Sequence, residues 1–145
     1  MKKIILVFAL AISVRILPAQ DVPAAQIPSP VVKALSTAYP KAEKTKWKVK
    51  DDLYHADFEI GKDDYDVWLD KTGKIVKRKY DVPASALPAG VAATLKKDYS
   101  EYTVDDVVKT EAKGGVTYKV ELKKAGEKRK ITFGEDGKIV EKKED

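Results

Sequence analysis

His55 is the single histidine of a chain that has no cysteine. It stands two residues before Asp57, so the pair could move a proton if a nucleophile lay beside it. The serines beyond residue 19 are Ser29, Ser36, Ser85 and Ser100, and none sits in a Gly-x-Ser-x-Gly elbow. The parts of a hydrolytic triad are therefore missing, and the chain reads as no enzyme. The lack of Cys excludes disulfides, iron–sulfur clusters and thiolate-held zinc, and one His excludes the usual multi-His metal sites. No cofactor is expected.

Asp63, Asp64, Asp66 and Asp70 are dense enough to raise calcium, which takes carboxylate oxygens from turns. The EF-hand order of acids and glycine is absent, and strand alternation spreads these acids along a face instead of closing them round an ion. A small-ligand or calcium-binding envelope protein is the alternative function. Lys44, Lys46, Lys48 and Lys50 alternate as a basic stripe. A nucleic-acid groove would add stacked aromatics to such a stripe. Here Asp57, Glu59 and Asp66 on adjoining strands are expected to pair with Lys46 and Lys48, so no nucleic-acid partner is expected. Trp68 is the sharpest candidate. Alternation sets it opposite Tyr65, Val67 and Leu69, away from the apolar side, and aromatic side chains anchor protein interfaces. Trp47, flanked in alternation by Thr45 and Val49, is expected in the core.

Two kinds of element position these residues. Val31, Leu35 and Tyr39 recur at helical spacing from Pro30 to Pro40, with Ser29 as the expected cap. Period-two runs follow, with Tyr54, Ala56, Phe58 and Ile60 against His55, Asp57 and Glu59. Asp51-Asp52, Gly61-Lys62-Asp63 and Asp70-Lys71-Thr72-Gly73 read as turns. The order then recurs. Leu87-Pro88 to Tyr99 repeats the helix, with Gly90 as a weak point. Tyr118, Val120 and Leu122 match Tyr54, Ala56 and Phe58, and Gly134 to Val140 matches Asp70 to Val76, both at an offset of 64 residues. At the position of Trp68 the second unit has Thr132.

The expected fold class is α+β, with two tandem repeats, each one helix followed by an antiparallel meander of about four strands. Repeat 1 spans residues 27–80, a linker 81–86, and repeat 2 residues 87–145, after a loose arm at 20–26. The two meanders make one sheet or two; the pattern leaves both open. Tyr54-x-Ala56-x-Phe58 and Asp70-x-x-Gly73-Lys74-Ile75-Val76, in paired helix-plus-meander units, resemble the PepSY-like proteins. The resemblance is to the exported Bacteroidetes-type group described as β-lactamase-inhibitor-like, and it covers residues 26–143. It implies an open sheet face offered to a partner and, in related modules, restraint of secreted peptidases. It implies no catalytic residues.

Residues 1–19 read as an export signal, with Lys2 and Lys3 before an apolar run from Ile4 to Val14 and Ala19 before the cut. That run is too short to span a bilayer. Localisation is thus expected to be periplasmic or secreted, with no stable membrane anchor after signal removal. The chain has 28 Lys+Arg against 23 Asp+Glu, net +5. Loss of Lys2, Lys3 and Arg15 lowers this to +2, which removes the charge argument for a polyanionic partner. The expected function is recognition of an exported protein through the open sheet face, as inhibitor of a secreted or periplasmic hydrolase. The expected contact set is Trp68 with His55, Asp57, Glu59 and Asp66.

Overall fold

The computed structural model describes residues 20–144. The export segment proposed at residues 1–19 lies outside the described residues. Helix α1 (Ser29–Ala38) precedes strands β1 (Glu43–Lys50), β2 (Leu53–Ile60), β3 (Asp63–Leu69) and β4 (Ile75–Asp81). Helix α2 (Ala89–Asp98) precedes β5 (Thr103–Ala112), β6 (Gly115–Lys124), β7 (Glu127–Gly134) and β8 (Ile139–Glu144). All eight strands form one antiparallel sheet in sequence order, with α+β architecture.

Alternation puts apolar side chains on one face, where both helices lie. Val31 and Leu35 of α1 pack on Trp47, Ala56, Phe58, Val67 and Leu69. Val91 and Leu95 of α2 pack on Val107, Tyr118, Val120, Leu122, Ile131 and Phe133. Trp47 is buried, as its neighbours in the sequence predict. Fully burying side chains of this size contributes roughly 1.5–3 kcal/mol each, so these two clusters hold the helices to the sheet.

Several local expectations shift. Ser29 lies inside α1 and does not cap it; Pro28 takes that position with no side-chain cap. The Pro28 carbonyl accepts from the Val31 and Val32 amides, which starts the helix one residue early. The 20–26 arm is pinned rather than loose. The Val22 amide donates to the Trp47 carbonyl at 2.7 Å, and Ala24–Gln26 forms a 3-10 turn. Residues 81–86 carry the last residue of β4 and a second 3-10 turn, Ala84–Ala86. The turn between β2 and β3 is Gly61-Lys62, and Asp63 already belongs to β3, paired with Ile60. Lys44 has a positive φ of 53° at an irregularity in β1, which takes it out of the Lys46–Lys48–Lys50 alternation.

The turns that follow β3 and β7 lock the helices in place. Gly73 and Gly137 have φ of +88° and +80°. A side chain on Gly73 would meet the Pro30 carbonyl oxygen at 2.6 Å, and one on Gly137 would meet the Gly90 carbonyl. Thr94 Oγ1 donates to the Gly137 and Gly90 carbonyls. Gly90 is thus more than a weak point in α2: a Cβ there would press on the Asp136 carbonyl at 2.8 Å.

Strands β4 and β5 join the two halves, from Lys77↔Ala112 to Asp81↔Val108. The seam is polar on the helix-bearing face. Glu111 accepts from Arg78 Nε at 2.9 Å, Lys109 Nζ at 2.7 Å and the Tyr80 hydroxyl at 3.1 Å. These contacts hold its carboxyl below the usual carboxylate range, the Lys109 hydrogen bond most of all. The Tyr80 ring stacks on Tyr65, which stacks on Phe58, so the polar seam runs into the first apolar cluster without a break.

Candidate functional site

The helix-free face is built from the polar partners of the alternation. Cross-strand register sets Lys48, His55, Trp68 and Lys77 in one row, and Lys46, Asp57, Asp66 and Lys79 in the next. Directly opposed side chains lie close enough to interact. His55 stacks on Trp68, with ring centroids 4.3 Å apart and planes within 5°. Lys77 Nζ, from the strand on the other side, lies 4.5 Å from the Trp68 ring centroid. The indole is therefore held between an imidazole and an ammonium, half-buried and still reachable from solvent.

Asp66 fixes the imidazole. Its Oδ1 lies 2.5 Å from His55 Nε2, and its Oδ2 lies 3.7 Å from Lys79 Nζ. An ionised carboxylate only accepts, so Nε2 carries the hydrogen. The His55 hydrogen bond holds the Asp66 carboxyl below its ordinary value, with Lys79 adding to it and burial opposing it. Asp57 stands opposite both Asp66 and Lys46. Glu59 is paired with Lys44 at 2.6 Å, not with Lys46 or Lys48, because the irregularity in β1 turns Lys44 toward it.

The structure thus brings Trp68, His55 and Asp66 into contact, sets Asp57 beside them and leaves Glu59 at the margin. Sequence reasoning missed Lys77 and Lys79. Both come from β4, whose Ile-Val-Lys-Arg-Lys-Tyr run has no apolar alternation to mark its faces. In the second half Lys119 and Thr132 occupy the cross-strand pair equivalent to His55 and Trp68, so the stack has no counterpart there.

Nothing in this arrangement gathers the acids for a cation. Asp66 is engaged by His55 and Lys79, and Asp70 accepts from the Thr72 and Lys74 amides and the Thr72 hydroxyl in its own turn. Among the described residues no group of three or more His, Cys, Asp or Glu could hold a metal ion. Nor is any described helix long and apolar enough to cross a membrane. An open groove of about 490 Å³ borders the seam, lined by Lys74, Ile75, Val76, Arg78, Glu111 and Lys113 among others. Its Arg78 is already neutralised by Glu111.

The model of the family described as "Putative beta-lactamase-inhibitor-like, PepSY-like" matches residues 16–77 and again residues 52–141. The chain belongs to the PepSY-like family. Solved structures similar to the chain include a BLIP-like protein from Bacteroides fragilis, 27% identical with a TM-score of 0.59 over 81% of this chain and 86% of that one. A DUF2874 family protein from Bacteroides uniformis is 28% identical, with a TM-score of 0.63 over 81% and 88%. A Bacteroides eggerthii structure described as "putative periplasmic proteins" shares the fold at 24% identity, with a TM-score of 0.64 over 81% and 88%. No curated protein matches the chain.

Proposed function

We propose that this PepSY-like protein is an exported binding module that recognises another exported protein through its helix-free sheet face, and that the partner is a hydrolase it restrains. In this reading the chain is an arm (20–26) and two tandem repeats (27–80 and 87–145) joined by the 81–86 linker. The observation that carries the proposal is the His55–Trp68–Lys77 stack. A half-exposed Trp held rigid by its neighbours loses little entropy on binding, which is what an interface anchor needs. Asp57, Asp66 and Lys79 around it supply polar specificity.

The test compares immobilised wild-type protein with Trp68→Ala in capture from the native cell envelope, with cross-linking and identification of what is held. The expected outcome is one exported hydrolase retained by the wild type and at least about tenfold less by the variant, the effect of losing about 1.4 kcal/mol. Its activity should fall on adding wild-type protein and recover with Trp68→Ala. Equal capture by a folded Trp68→Ala variant overturns the site, and full activity of the captured enzyme in the complex overturns the inhibitor role.

A further inference from the structure

The two halves also differ on the outer side of their first strands. In the second half the Val82 amide donates to the Val107 carbonyl at 2.9 Å, and the preceding strand β4 continues the ladder along β5 as far as Ala112. In the first half the Val22 amide donates to the Trp47 carbonyl in the same way, at 2.7 Å. Among the described residues the ladder goes no further: Val22↔Trp47 is an isolated bridge, and Gln20 and Asp21 belong to no strand. The stretch of β1 from Trp47 to Lys50 therefore offers a strand seat that its counterpart in β5 has filled.

The seat has a definite chemistry. Amide and carbonyl of one residue point to the same side of a strand, and the side alternates with each residue. Since the Trp47 carbonyl points outward to Val22, the Val49 amide and carbonyl point outward too, two residues further on. The Val49 side chain is 42% exposed on the helix-bearing face. On the other face the same edge carries Lys46, Lys48 and Lys50, for which the structure records no ion pair among the described residues. Edge lysines repel most strands. An extended segment with acids at alternate positions turns that repulsion into cross-strand attraction.

We infer that the outer edge of β1 is a docking seat for an extended acidic segment of a partner protein, which adds as a ninth strand beside β1 in the place that β4 takes beside β5. Apolar residues of that strand would lie over Val49, and its acids beside Lys46, Lys48 and Lys50. The seat is separate from the Trp68 stack, and main-chain hydrogen bonds would supply its affinity.

The experiment titrates the purified protein with two synthetic octapeptides, alternating Val-Glu and alternating Val-Lys, and follows backbone amide exchange by NMR. The expected result is saturable binding of the Val-Glu peptide at least tenfold tighter than of Val-Lys, with the Val49 amide becoming protected. The triple variant K46E/K48E/K50E should reverse the preference while still unfolding in one cooperative thermal transition, lowered because K46E sets a second acid opposite Asp57. Equal binding of the two peptides, or binding that leaves the Val49 amide unprotected, overturns the proposal. So does concentration-dependent dimerisation that protects Val49 without peptide, because a second copy would then hold the edge. Trp68→Ala should leave peptide binding unchanged, which separates this seat from the face proposed above.

Discussion

His55 and Trp68 stack face to face across the β2–β3 hairpin, with centroids 4.3 Å apart. Their contact depends on a two-residue turn, since Ile60↔Asp63 pairing at the turn sets His55↔Trp68 pairing further along. Asp66, two residues from Trp68 on the same face, then reaches the far nitrogen of the imidazole. One register choice thus fixes an aromatic pair and its polar anchor together.

Stability should fall on the acid side in a way that Asp66 controls. Its carboxyl is held below its ordinary value by the His55 hydrogen bond and Lys79. The unfolded chain then binds the proton more readily, so the contribution of Asp66 is complete above the ordinary carboxylate value of about 3.9 and is lost as pH falls below it. Asp66→Asn should lower Tm at pH 6 by a few degrees. Thermal melts at pH 6, 4.5, 3.5 and 2.5 should show the gap to wild type closing toward the acid end. A gap that stays constant across the series would show that Asp66 is not linked to the acid transition.

Glu111 ties the seam between the halves. Glu111→Ala leaves Arg78, Lys109 and the Tyr80 hydroxyl without their shared acceptor. With the group partly exposed, solvent screens the ion pairs, and the expected loss is about 1–2 kcal/mol. Urea unfolding should show that loss at low ionic strength and a smaller one in 1 M NaCl, where the Debye length is about 3 Å. Glu111→Gln, which keeps an acceptor, should recover part of it.

Turn glycines of similar φ should differ in cost. Gly61, at +67°, has open space around it, so Gly61→Ala carries only the backbone penalty of roughly 1–2 kcal/mol. Gly73 and Gly137 carry that penalty and also abut the starts of α1 and α2. Overpacking there adds about 1–3 kcal/mol. Urea midpoints should therefore rank Gly61→Ala above both Gly73→Ala and Gly137→Ala.

What was legible in the sequence follows from where apolar alternation is clean. The Tyr54–Ala56–Phe58 and Tyr118–Val120–Leu122 runs announce their strands and faces, and Trp47 its burial, because a strand covered on one side must alternate. The seam was not legible. Arg78, Tyr80, Lys109 and Glu111 put polar side chains on the helix-bearing face, so β4 and β5 carry no period that says which way they face or that they pair. The helix-free face was read in outline. Trp68, His55, Asp57 and Asp66 share the face their parity requires, whereas Lys77 and Lys79 came from the unmarked β4. Glu59 took Lys44 as its partner through a positive-φ residue that no propensity flags in a lysine.

The β4–β5 ladder also sets the smallest piece of this chain that can be cut out intact. A break between the halves would bare one side of β4 and one side of β5 and double the number of raw strand borders. Each half would carry its own apolar cluster and helix, yet also a border of unpaired amides and carbonyls that another chain can adopt. A cut at the β4–β5 ladder would therefore leave two sheets with four strand borders in place of one sheet with two.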